Sequence, residues 1–214
     1  VKLYKSIEQK EYKLDPKSMG QRDLKNKCLD LLSYVEGGKY NSLAFDHFKT
    51  ATNMTDEIGA LTTIVHANSV HKDEALKAFY DKWKHETLVM QKWLTVQASA
   101  SHESTYDAIL KLEKDAVYDR TIPNLVRALL GQFVATNKVQ FNHPSGRGYK
   151  LVADRLLELD KLNPQVASRL ASGFKDFKRT PKALQDLMRP ELERIIKTDG
   201  LSKNVYEIVS KILG

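Results

Sequence analysis

Hydrophobic positions recur with a helical period along nearly the whole chain. Ala75, Phe79 and Trp83 are spaced by four residues, and Trp93 and Val96 share one face of the next segment. No segment shows the strict alternation of apolar and polar residues that is typical of a half-buried strand. The pattern predicts helices over about residues 19–34, 42–50, 55–67, 73–85, 88–98, 105–115, 123–136, 149–161, 164–177, 181–197 and 202–213.

Local signals indicate where several of these helices begin and end. Gly37-Gly38 predicts the end of the first long helix, and Thr55 is a candidate N-cap. Asn163-Pro164 and Thr180-Pro181 each place a capping side chain before a proline at the first helical position. Pro190 lies inside a helical pattern, so we expect it to kink or split that helix.

The order and spacing of these segments predict an all-α fold. About a dozen short helices are joined by short loops, and short connections favour antiparallel neighbours. No fixed repeat period is visible in the sequence, so the pattern favours an irregular α-solenoid or superhelical bundle over a regular repeat array. We expect residues 1–214 to form a single domain of this kind. Because the chain starts at Val1 in a segment that is already helical, we expect it to be part of a longer polypeptide.

Composition narrows the possible partners. The 214 residues include 34 Lys and Arg and 27 Asp and Glu, which give a formal net charge of +7. A positive charge raises nucleic acid as a partner, but the charges are interleaved and no basic stripe with stacking aromatic residues is present, so we expect no nucleic-acid binding. No apolar run approaches the roughly 20 residues that a membrane-spanning helix needs. We therefore expect a soluble protein with no membrane partner.

The search for catalytic or metal-binding motifs gives only near misses. A zinc-binding H-E-x-x-H motif needs two histidines one helical turn apart. His85-Glu86 and His102-Glu103 each begin such a motif, but neither is completed by a second histidine. No glycine-rich phosphate loop and no nucleophile elbow is present. We therefore predict that this chain has no catalytic residue, no metal site and no cofactor of its own.

The single cysteine and the two tryptophans are interpreted as structural residues. Cys28 is predicted to be a small buried residue on a face that it shares with Leu24, Leu31 and Leu32. Because they lie on apolar faces and have large side chains, Trp83 and Trp93 are expected to pack between helices.

Six segments, in order, resemble the C-terminal helical domain of bacterial-type aminopeptidase N, a zinc aminopeptidase of the gluzincin type. Two of them are Phe79-Tyr80-Asp81-Lys82-Trp83, which is followed by residues 88–98, and Asn163-Pro164-Gln165-Val166-Ala167-Ser168-Arg169-Leu170. The others cover residues 22–29, 51–56, 123–131 and 200–207. Each segment is weak alone, but together they span nearly the whole chain.

This resemblance implies that the domain is a bowl of helices that covers the catalytic domain and encloses a substrate chamber. It implies that Arg127, Gln165 and Arg169 face that chamber and bind peptide. Their own positions are compatible with this role, since Gln165 and Arg169 are neighbours on one helical surface and a guanidinium suits a carbonyl or carboxylate group. The competing interpretation is that these three residues are ordinary exposed side chains without a binding role.

For the parent enzyme, the resemblance implies zinc-dependent release of N-terminal amino acids from peptides, with zinc held by upstream residues that this chain lacks. It also implies a cytoplasmic monomer whose catalytic and N-terminal domains are partners of this chain in one polypeptide. By itself the chain is expected to be inactive. The alternative hypothesis is a stand-alone helical scaffold that binds another protein.

The chain departs from the family in one loop. The family pattern there is close to F-H-x-x-D-G-S-G-Y, whereas this chain has Phe141-Asn142-His143-Pro144-Ser145-Gly146-Arg147-Gly148-Tyr149. The Gly-x-Gly-Tyr frame is kept, but the other polar positions differ. No polar role of that loop is therefore carried over.

Overall fold

A computed structural model describes residues 1–7 and 11–214, and for Glu36 it describes only the backbone. The described residues form helices and connecting turns with no strand among them, which confirms the predicted all-α class. They form two compact units, residues Val1–Gln97 and Ala98–Gly214. Within the described residues, no helix is both long and apolar enough to cross a membrane.

The N-terminal unit is built around a buried helix. Its helices are α1 (Lys2–Ser6), α2 (Pro16–Ser33), α3 (Asn41–Thr50), α4 (Met54–His66), α5 (Lys72–Trp83) and α6 (Thr87–Ser99), which extends into the next unit; a short 3-10 turn covers Glu36–Gly38. α4 packs against α2, α3 and α5. Its residues Ala60, Leu61 and Ile64 are completely buried, because helices cover it on several sides.

The C-terminal unit has α7 (Thr105–Leu112), α8 (Pro123–Val126), α9 (Gln132–Thr136), α10 (Lys138–Phe141), α11 (Arg147–Asp160), α12 (Pro164–Ala171), α13 (Lys182–Ile196) and α14 (Lys203–Leu213). A π turn over Arg127–Gly131 joins α8 to α9, and 3-10 turns cover Ser172–Phe174 and Phe177–Arg179. α12 packs between α11 and α14. The ring of Phe141 makes edge contacts with Phe133, Tyr149 and Phe174 at the centre of this core.

Two predicted helix starts and one predicted helix split are wrong. The N-cap of α4 is Asn53 rather than Thr55, because the extended Asn53 accepts the Asp56 N–H at 3.0 Å. α13 begins at Lys182, because Pro181 is extended with ψ 147° and does not enter the helix. The predicted split at Pro190 is also wrong, because the helix continues to Ile196; the predicted kink stays a prediction. By contrast, Asn163 caps α12 as predicted and accepts the Val166 N–H at 3.1 Å.

The packed face of α2 also differs from the prediction. Leu24 and Leu31 are 46% and 60% exposed and Cys28 is half-buried, whereas Leu29 is buried. The face directed at α4 contains Leu29 together with two polar residues, the buried Arg22 and Asn26, whose side chain hydrogen-bonds to Asp56. Because this packed face carries polar residues, the periodicity of apolar residues does not identify it.

The two tryptophans are anchored by hydrogen bonds from their indole nitrogens. Trp93 is buried as expected and donates to the Leu76 carbonyl at 3.1 Å. Trp83 is only half-buried, and it donates to the Glu57 carboxylate at 3.2 Å. Both side chains therefore join helices within the N-terminal unit.

Candidate functional site

The C-terminal unit contains a cavity of about 530 Å³. This volume lies within the range of roughly 300–1,000 Å³ that is typical of ligand pockets. One wall is the continuous helical stretch of α8, the π turn and α9, and the other is α12 with the following 3-10 turn. The lining residues are Pro123, Asn124, Val126, Arg127, Gly131, Gln132, Val134, Ala135, Lys138, Val166, Arg169, Leu170, Ser172, Gly173 and Lys175.

Arg127 enters this cavity from the first residue of the π turn. π turns are rare and occur often at functional sites, because the extra residue redirects the side chains around it. The Arg127 guanidinium is exposed, and its Nη2 donates to Asn124 Oδ1 at 2.8 Å. Its alkyl stem runs beside Gly131, where a Cβ would lie 3.4 Å from Arg127 Cγ. Asn124 and Gly131, which also line the cavity, together position the Arg127 side chain.

Arg169 reaches the same cavity from the last turn of α12. Its side chain is exposed and has no hydrogen-bond or ion-pair partner among the described residues. Gln165, one turn earlier on α12, is exposed but does not line the cavity. The structure therefore brings together two of the three predicted binding residues, Arg127 and Arg169, and leaves Gln165 outside this cavity.

Two lysines that the sequence did not single out line the same cavity. Lys138 follows the end of α9, and its Nζ donates to the Val134 carbonyl at 3.1 Å. Lys175 follows the 3-10 turn after α12 and is exposed. They lie on separate segments without a shared periodicity, so no sequence pattern pointed to them.

The cavity combines positive charge with apolar walls. Arg127, Lys138, Arg169 and Lys175 all line it, and no Asp or Glu does among the described residues. None of these four cations belongs to an ion pair within the described part of the chain, although many other Lys and Arg side chains do. The walls between them include Val126, Val134, Ala135, Val166 and Leu170. Such a site suits a ligand with apolar side chains and carbonyl or carboxylate oxygens.

Gly173 determines how closely the two walls approach. A Cβ at this position would lie 1.8 Å from Val134 Cγ1, so a side chain there would force Val134 or the backbone to shift. Val134 is on α9 and is buried. The missing side chain thus allows the turn after α12 to contact α9 directly, and both residues line the cavity.

A Ser–His–acid grouping occurs elsewhere in the C-terminal unit. His143 Nδ1 lies 2.7 Å from Ser145 Oγ, and His143 Nε2 lies 3.1 Å from Glu103 Oε1. However, the Glu103 carboxylate is 72% exposed and also accepts a 2.5 Å hydrogen bond from Arg147, which lowers the pKa of Glu103. The Ser145 hydroxyl accepts the Arg147 N–H. These contacts hold the loop before α11 in place and are not part of the cavity.

Residues that would hold a metal are not grouped in the described part of the chain. No three His, Cys, Asp or Glu side chains there lie close enough together to coordinate one ion. Zinc with its usual three or four protein ligands therefore does not fit the residues that the structure describes.

A second polar cluster lies in the N-terminal unit. Tyr4 Oη is 2.7 Å from His47 Nδ1, and His47 Nε2 is 3.7 Å from Asp56 Oδ1. Burial raises the pKa of Tyr4 to about 12. Asp56 also accepts hydrogen bonds from the Asn26 and Asn53 side chains at 3.0 and 2.9 Å. This cluster ties α1, α2 and α3 to the start of α4.

Sequence comparison shows similarity to several bacterial aminopeptidases. The chain is 37% identical to aminopeptidase N of Caulobacter vibrioides over 95% of its own length and 24% of that protein. It is 34% identical to aminopeptidase N of Haemophilus influenzae over its whole length, and 32% identical to that of Escherichia coli over 99% of it. In each case the chain spans about a quarter of the relative, in its C-terminal region.

The folds are also similar. A crystal structure of Legionella pneumophila aminopeptidase A in complex with aspartic acid matches 99% of this chain with a TM-score of 0.89 and 30% identity, and the match covers 26% of that protein. Residues 1–214 match a family described as a domain of unknown function, DUF3458_C, with ARM repeats. ARM repeats are stacked helical units, as the predicted α-solenoid class requires. With the whole chain matched, this protein belongs to the DUF3458_C family of ARM-repeat domains.

Proposed function

We propose that this chain is the C-terminal helical domain of an aminopeptidase, and that the cavity of Arg127 and Arg169 binds peptide on the C-terminal side of the cleaved bond. The cavity carries the proposal, because it brings two arginines from separate helical segments to one site with apolar walls. The aminopeptidase relatives support the parent activity. The arginines offer fork-shaped donors to peptide carbonyl or carboxylate oxygens.

In this proposal the chain binds and orients the substrate but does not carry out the cleavage. Arg127 is held by Asn124, so it presents a fixed set of donors, whereas Arg169 has donors free for a ligand. The reacting groups, including a zinc ion, would belong to other domains of the same polypeptide. Under this proposal the chain alone is inactive, and the full-length aminopeptidase is a cytoplasmic monomer.

The proposal is tested by peptide kinetics of the full-length polypeptide with Arg169→Ala and Arg127→Ala. We expect kcat/KM for tripeptides and longer peptides to fall about tenfold to a hundredfold, as for the loss of a charge-assisted hydrogen bond of about 1.5–3 kcal/mol. An aminoacyl anilide has no peptide after the cleaved bond and should therefore be hydrolysed at nearly the wild-type rate.

Arg179→Ala is the matched control. Arg179 belongs to the same unit, is 87% exposed and lies outside the cavity, so its loss should not alter peptide kinetics. Wild-type kinetics for both cavity variants would contradict the proposal. In that case the helical-scaffold hypothesis would become the stronger one.

A further inference from the structure

Four cations line the proposed peptide site, and no carboxylate of the described residues lines it with them. Arg127 and Arg169 suffice to bind neutral carbonyl groups, but Lys138 and Lys175 add two further charges. None of the four is ion-paired within the described residues. Like charges around one cavity repel one another, and a bound anion reduces this repulsion.

The surroundings of the two lysines support a role in binding an anion. Lys175 is exposed and has no partner among the described residues, so its ammonium group is free to contact a ligand. Lys138 is oriented by the Val134 carbonyl and lies 6.0 Å from the Phe141 ring, which leaves other N–H donors available. An ammonium group has three donors and acts as a compact charge, so it recognises an anion without requiring one orientation.

We propose that this cavity selects peptides that carry a carboxylate after the cleaved bond, and that Lys138 and Lys175 are the specificity-determining residues. This inference rests on the proposed function. The carboxylate is either the free C-terminus of a short peptide or an acidic side chain. The arginines bind the peptide in general, whereas the lysines distinguish anionic from neutral peptides.

The test uses the full-length polypeptide and three peptides of equal length with the same N-terminal residue. One is neutral and amidated, one has a free C-terminal carboxylate, and one is amidated with a glutamate side chain. We expect the wild type to favour at least one anionic peptide in kcat/KM, and the favoured peptide identifies the source of the carboxylate. Raising the salt concentration should reduce this preference, because the charges are exposed.

Lys138→Met and Lys175→Met should each lower the anionic-to-neutral ratio of kcat/KM about twofold to fivefold, as for one exposed ion pair. Lys175→Glu should lower it further, because it introduces repulsion at an exposed position that tolerates the change. Lys161→Met is the control, since Lys161 is exposed, lies outside the cavity and should not alter the ratio.

The outcomes separate this inference from the proposed function. If Arg169→Ala slows all three peptides while the lysine variants keep the wild-type ratio, the carboxylate selection is wrong and the peptide site stands. If Arg127→Ala and Arg169→Ala both have wild-type kinetics with every peptide, the proposed function itself fails. If the wild type has the same kcat/KM for all three peptides, the inference that the cavity selects carboxylates is also wrong.

Discussion

Glu113 and Arg155 form a two-pronged ion pair across the C-terminal unit. Arg155 Nε donates to Glu113 Oε1 at 2.6 Å, and Nη2 donates to Oε2 at 2.9 Å. The side chains are only 11% and 27% exposed. The hydrogen bonds to Glu113 raise the pKa of Arg155. This parallel geometry links the end of α7 to the middle of α11, which packs directly against α12.

Removing one partner of this pair should destabilise the unit. We expect Glu113→Gln to lower the free energy of unfolding by about 2–3 kcal/mol, because Arg155 would remain partly buried without its main counter-charge. Urea unfolding followed by circular dichroism measures the change. In the double variant Glu113→Leu/Arg155→Met the loss should be smaller than in Glu113→Gln. A loss below about 0.5 kcal/mol would mean that solvent screens the pair as on a surface.

Gly173→Ala should disturb both stability and the cavity. The new Cβ would collide with Val134, whose branched side chain has one preferred rotamer in a helix and cannot turn aside. We expect a loss of about 1–3 kcal/mol in the free energy of unfolding, measured by urea denaturation, and weaker peptide binding.

Two further variants make the Gly173 experiment specific. Adding Val134→Ala removes the colliding methyl groups, so the double variant should be less destabilised than the sum of the single variants. Gly20→Ala is the control. Gly20 lies inside α2 with open space around its missing Cβ, so alanine should stabilise the helix by about 0.5–1 kcal/mol. Additive effects at positions 173 and 134 would disprove the collision.

The Asp56 cluster should contribute to acid sensitivity. Burial of the carboxyl group favours its protonation, but His47 and the hydrogen bonds from Asn53 and Asn26 outweigh this effect and lower the pKa of Asp56. A carboxyl group with a lowered pKa in the folded state stabilises the protein above its unfolded-state pKa of about 3.9, and this contribution is lost as the pH falls through the folded-state pKa.

Asp56→Asn should therefore be less stable than the wild type at pH 7, and the difference should shrink between about pH 5 and about pH 2. Urea unfolding across this range measures both curves. Asp23→Asn is the control, because it removes an exposed carboxylate on α2. Its free energy of unfolding should depend on pH as that of the wild type does. A difference between wild type and Asp56→Asn that is the same at every pH would contradict the assignment.

Local physical chemistry made most helices predictable. Their apolar residues recur with the helical period, and caps such as Asn163 act within one turn of the chain. The errors occurred where tertiary contacts override local preference. Arg22 and Asn26 occupy the packed face of α2, because buried polar groups are tolerated wherever a neighbouring element supplies partners.

The amino-acid pattern was enough to predict the all-α class and most helix positions, and it carried the family resemblance that indicated Arg127, Gln165 and Arg169. It could not predict that Arg127 and Arg169 share a cavity with Lys138 and Lys175, or that Gln165 does not line this cavity. Helical periodicity relates residues within one helix, whereas a cavity is lined by side chains from segments that are far apart in the chain. Which residues meet there depends on how the helices pack, as in the close contact of Gly173 with Val134 between the two walls.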